Sequence, residues 1–132
     1  YWVAFQDYAF QNPLFSKFFN RRKPSLDHWM NFSIGSSACH LAVSQIQKRN
    51  ELVVELYINE DKDLFRTLLQ NKVAIETEAE LKFDWRELPN RKASRIIIEH
   101  LVEFEDRSQW NMQFDWIIDV MIRMRKAFKL FL

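Results

Sequence analysis

The chain is poor in residues that cross-link or punctuate structure. It holds one cysteine, Cys39, which excludes an internal disulfide and any cysteine-based zinc cluster, so a reducing compartment, the cytoplasm, is its expected home. Its single glycine, Gly35, and three prolines leave few points where the backbone turns sharply without help from asparagine or serine. No apolar run reaches the length of a membrane span, and the first residues show neither a charged leader nor a cleavage site, so no membrane partner is expected. Charge of one sign is also lacking. Nineteen basic residues against eighteen acidic ones give a net +1, which predicts no long-range pull on nucleic acid, anionic lipid or acidic substrates. Binding any of these needs a local patch.

What is present is apolar mass. Hydrophobic residues make up 48% of the chain beside 28% charged, the balance of a folding sequence. At this length roughly two-thirds of the unfolded surface is buried on folding, so one core spanning residues 1–132 suffices and no metal or cofactor is needed as a staple. The chain starts at Tyr1 without a methionine, from which we expect it to be part of a longer protein.

Periodicity supplies the elements. Tyr1, Trp2, Phe5, Tyr8 and Ala9 recur at helical spacing, and Asn12-Pro13 caps and opens a second short helix bearing Leu14, Phe15, Phe18 and Phe19. Asn20 to Ser25 is a polar loop. Residues His28 to Ile34 and Ala38 to Lys48 then alternate as two strands joined through Gly35-Ser36-Ser37, and a third alternation covers Leu52 to Ile58. Asn59 is placed to cap a helix running to about Glu78, its acidic first turn suiting the dipole. Leu81, Phe83 and Trp85 against Lys82, Asp84 and Arg86 mark a fourth strand, and Arg95 to Val102 a fifth, paired with it through the turn at Leu88 to Lys92. From about Arg107, Trp110, Phe114, Ile117, Met121, Met124, Phe128 and Phe131 form the stripe of a long final helix. The expected fold is α+β: a single domain of order α-β-β-β-α-β-β-α, with a mainly antiparallel five-stranded sheet and the helices packed on one face.

Several of these positions together resemble a family. Tyr1-Trp2, Ile34-Gly35-Ser36-Ser37, the strand Glu51 to Ile58, Lys72 with Ile75-Glu76, Phe83-Asp84-Trp85 with Leu88-Pro89, Arg95-Ile96, and Trp110 with Trp116 look like the bacterial domain of unknown function 4268. The resemblance spans nearly the whole chain and consists of core and turn positions. It implies a small free-standing protein or a C-terminal part of a longer one, in some cases beside nucleases, hence a setting in DNA transactions or phage defence. No catalytic residues come with it. One departure is Ala79-Glu80, where the family pattern leads us to expect a glycine after the second long helix.

Four kinds of chemistry can be weighed against the residues. Glu80-Leu81-Lys82 matches the acid-x-lysine half of a restriction-type metal site, with Asp61 or Asp63 upstream, but those acids fall at a helix start and serve the dipole there. Cys39 and His40 are strand neighbours and point to opposite faces, so they make no nucleophile and base pair. His28, His40 and His100 share no helix turn and give no metal spacing. Basic residues are more suggestive: Arg21, Arg22 and Lys23 form one cluster, Arg91, Lys92 and Arg95 a second, and Arg123, Arg125, Lys126 and Lys129 a third, and any two brought together would make a phosphate patch, with Trp29, Tyr57 and Trp116 as stacking surfaces. Finally, Trp116, Ile118, Ile122 and Leu130 lie outside the main stripe of the last helix, a second apolar side suited to another subunit or another part of the parent chain. The sequence thus leads to a non-catalytic accessory or protein-interaction domain of a bacterial or phage protein, self-associating or docked on its parent, with a nucleic-acid-binding or nuclease-associated module as the alternative. No cofactor is expected.

Overall fold

All of residues 1–132 are described by the computed structural model. The strands β1 (Trp29–Ser33), β2 (Cys39–Ile46), β3 (Glu51–Ile58), β4 (Asp84–Arg86) and β5 (Ser94–Leu101) join one antiparallel sheet in the order β1-β2-β3-β5-β4. The first three make the expected meander. The later hairpin attaches through β5, whose Ile98 and Ile96 lie opposite Val54 and Leu56 of β3.

Strand register sorts the side chains into two faces. Met30, Phe32, Leu41, Val43, Leu52, Val54, Leu56, Ile58 and Ile96 point to one side and are all buried. Against them pack α1 (Trp2–Ala9), α2 (Pro13–Phe18), α3 (Lys62–Gln70), α4 (Lys72–Ala79) and α5 (Trp110–Lys129), which contribute Phe5, Phe15, Phe65, Ile75, Phe114, Ile117, Met121 and Phe128 to the same core. Aromatic rings set edge to face, such as Phe5 on Phe114 at 5.6 Å and Phe5 on Phe15 at 6.0 Å, fill the space under α1 and α2. The opposite face of the sheet carries no helix.

Local chemistry moved three boundaries. The expected single helix to Glu78 is two: Asn71 ends α3 and starts α4, its side-chain amide donating to the carbonyl of Thr67 at 2.8 Å. That bond competes with the backbone ladder in a stretch whose apolar spacing reads straight through. The cap of α3 is Asp61 and not Asn59, with its carboxylate accepting from the Leu64 N–H at 2.9 Å. The fourth strand is shorter than its alternation suggests, because Glu76 of α4 takes the Phe83 N–H at 2.8 Å and the Trp85 indole N–H at 3.1 Å before pairing begins. Glu80, where a glycine was expected, does occupy the left-handed region at φ 55°, and the bonds Glu80 N–H to Thr77 and Leu81 N–H to Glu76 close the helix end around it. No helix is long and apolar enough to cross a membrane.

Candidate nucleic-acid interface on the open sheet face

The uncovered face is built from the alternate residues of the same strands. One row across it runs Ser33, His40, Tyr57, Arg95 and Arg86; the next runs Asn31, Ala42, Glu55, Ile97 and Asp84; a third begins with Trp29, Ser44 and Val53. Large side chains in the outer rows and small ones at Ala42 and Ser44 leave a concavity of about 690 Å³. Its floor and walls are Trp29, Asn31, His40, Ala42, Glu55 and Tyr57, and its far rim is Arg91, Lys92 and Arg95. Trp29 is 48% exposed, the most exposed aromatic residue of the depression. The His40 and Tyr57 rings lie 5.4 Å apart and tilted by 33°.

Electrostatics favour an anion here. The lining holds three cations and one carboxylate, Glu55, and Arg95 covers that carboxylate with both of its bonds, Nε and Nη2 each at 2.6 Å to Oε2. A second, shallower hollow, lined by Arg22, Lys23 and Ser25, shares Trp29 and Asn31 with the first. Two of the three basic clusters therefore meet around one depression. Burial, followed by the nearby Arg22 charge, pushes the His40 imidazole below its ordinary range, so it is a neutral ring at physiological pH.

Both basic loops are pinned from the helical layer. The buried amide of Gln6 on α1 grips the backbone of Arg22 twice, donating to its carbonyl and accepting from its N–H, each at 2.8 Å. Lys62 on α3 donates to the carbonyls of Glu87, Leu88 and Ala93 and to Ser94 Oγ, gathering the β4–β5 connection that bears Arg91 and Lys92. That connection holds Leu88 at φ 55°, a conformation leucine resists, within reach of the Lys62 ammonium. Sequence reading missed both anchors. Gln6 falls on the buried side of α1 among aromatic residues, and that mismatch of polarity with position is the one signal that marks it.

The remaining candidates lie elsewhere. Arg21 turns back to α1, paired with Asp7 at 3.2 Å and stacked on Phe10. Arg123 is held by Asp119 at 2.9 Å and faces Glu80 at 3.7 Å, and with Lys126 it sits on α5, across the core from the open face. Lys92 is 3.8 Å from Glu60, both well exposed, a pairing that leaves its charge available. Of the proposed interface residues, Ile118 is buried in the chain's own core, Trp116 stacks on His100 at 4.8 Å, Ile122 is half-buried and Leu130 is 65% exposed. Cys39 is buried and its thiol is pushed up by that burial, which makes it a poor nucleophile. Asp61 caps α3, Asp63 lies 3.8 Å from Arg66, and Glu80 faces Arg123, so the acids of the nuclease motif are each engaged locally. No cluster of three His, Cys, Asp or Glu side chains converges on a common point.

The family model described as Domain of unknown function (DUF4268) matches residues 1–132, the whole chain. No curated protein and no solved structure matches it.

Proposed function

The chain belongs to the DUF4268 family, and from its geometry we propose that it is a non-catalytic nucleic-acid-binding module that works through the open face of its sheet. The observation that supports this reading is the arrival of two basic loops, remote in sequence, on opposite sides of one aromatic-floored depression. A nearly neutral chain acquires a local positive site in this way, with Arg22, Lys23 and Arg91 free of protein carboxylates and Arg95 shielding Glu55, the one acid in the lining. The helices supply the core and the anchors Gln6 and Lys62, and the sheet supplies the surface. Such a module would serve a bacterial or phage protein in the cytoplasm, where Cys39 stays a thiol. Protein interaction through α5 has less to support it, since its second apolar side is largely absorbed by the chain's own core.

The test is salt-dependent binding. A labelled oligonucleotide should bind at low ionic strength and weaken as salt rises, and Arg22→Ala with Arg91→Ala should lower the slope of log K against log salt by about 0.7–0.9 for each phosphate that is no longer neutralised. Absence of binding at low salt sinks the reading.

A further inference from the structure

The same depression also says which form of nucleic acid it fits, an inference that rests on the reading above. Between its two basic rims lie three aromatic rings, the exposed Trp29 indole on one side and the His40 and Tyr57 pair on the other, with the small side chains of Ala42 and Ser44 and the polar Asn31 between them. Strand spacing of about 4.8 Å and a rise of about 3.3 Å per residue put Trp29 and Tyr57, two strands and four residues apart, at about 16 Å. A span of that size accepts a few unstacked nucleotides. A duplex hides its base faces in its own stack and would lay only sugar and phosphate over these rings, leaving them unsatisfied.

We propose that the open face binds a single strand of nucleic acid, with at least one base stacked in the depression on Trp29 or on the His40 and Tyr57 pair, and with flanking phosphates drawn to Arg22 and Lys23 at one rim and to Arg91 and Lys92 at the other. The lining also holds Asn31, Ser44 and Asn59, side chains that can hydrogen-bond a base edge or a sugar hydroxyl, so the site is fitted to a single strand of either sugar. His40 contributes as an uncharged ring. Ala42 is the residue whose smallness makes room for the base.

The experiment is a competition with the full chain at low salt, using a labelled ten-nucleotide single strand against the duplex of the same sequence, the same strand with abasic positions, and the RNA equivalent. The single strand should compete at least about tenfold better than the duplex, and removing its bases should cost about fivefold or more, the low end for one base on one aromatic ring. Trp29→Ala should cause a similar loss. Trp29 is solvent-facing on an edge strand, and Ala42→Leu, which fills the floor without touching a charge, gives an independent variant with the same expected loss. Equal binding of duplex and single strand, or of abasic and normal strands, overturns this inference while the nucleic-acid reading stands; a DNA or RNA strand that outcompetes the duplex supports it. No binding by any of the four overturns both.

Discussion

Removing the ammonium of Lys62 would take one bond each from three carbonyls and a hydroxyl of the β4–β5 connection, of which the Glu87 and Leu88 carbonyls keep the Ser94 hydroxyl and the Arg91 N–H as donors while that of Ala93 must find water. Lys62→Met keeps the apolar stem, so the change should isolate those bonds and lower unfolding stability by about 1–3 kcal/mol in a urea titration. Glu80 predicts the opposite sign. It sits in the left-handed region, its approach to Arg123 is long and exposed, and Glu80→Gly should raise stability by about 0.5–1 kcal/mol in the same assay. His40 links stability to pH. Its folded pKa lies below the ordinary value of 6.5, with Tyr57 and Arg95 in its own row and Arg22 from the adjoining loop facing it. The unfolded chain therefore takes up the proton first, and the contribution of His40 is complete above about pH 6.5 and is lost as pH falls from there toward the folded value. Urea midpoints between pH 5 and 8 should show this fall, and His40→Phe should remove it. Residue identity made the Asn12 cap and the Pro13 start legible, and the wish for glycine at position 80 proved correct as geometry. Lys62 was illegible because its partners are carbonyls, which sequence never displays.

At the scale of elements, the apolar period carried most of the information. It placed the meander, both hairpins and the long last helix, because burial on one side writes itself into every second or every third to fourth residue. It failed at Asn71, where a polar joint sits between two helices whose buried residues keep step across it. It also overextended β4: Leu81, Phe83 and Trp85 do alternate toward the core, but facing inward does not require a hydrogen-bonded neighbour, and Glu76 satisfies Phe83 instead. The packing of that segment rests on α5, where Phe128 lies 5.7 Å from Phe83 and 6.3 Å from Trp85. Phe128→Ala should cost about 3–5 kcal/mol and shift the thermal midpoint down, since this fully buried ring joins the last helix to the strand that closes the sheet.

Across the whole molecule, strand order and the bare face were beyond the sequence. The β3–β5 pairing is made over two intervening helices, and periodicity reports that a strand has two unlike faces without reporting what covers them. Electrostatics should respect the resulting sidedness: Arg123→Ala with Lys126→Ala, behind the core, should leave oligonucleotide affinity within about twofold of the parent chain, although equal charge is removed as in the Arg22 and Arg91 pair. The exposed apolar residues Met112, in the first turn of α5, and Leu130, just past its last residue, stand about 27 Å apart at 1.5 Å per residue and form no continuous stripe. Sedimentation at several concentrations should accordingly give a single concentration-independent monomer.

Because all five helices lie on one side, half of every strand answers to the interior, while on the other half only a central patch of Ala42, Val53, Glu55 and Ile97 is buried and the outer positions meet solvent and whatever arrives there. Positions such as Asn31 and Ser44 can thus be rewritten freely while the hydrophobic layer beneath keeps its shape. The scaffold separates what makes it fold from what it recognises, so divergent members of such a lineage would change their targets by editing alternate letters of the same strands.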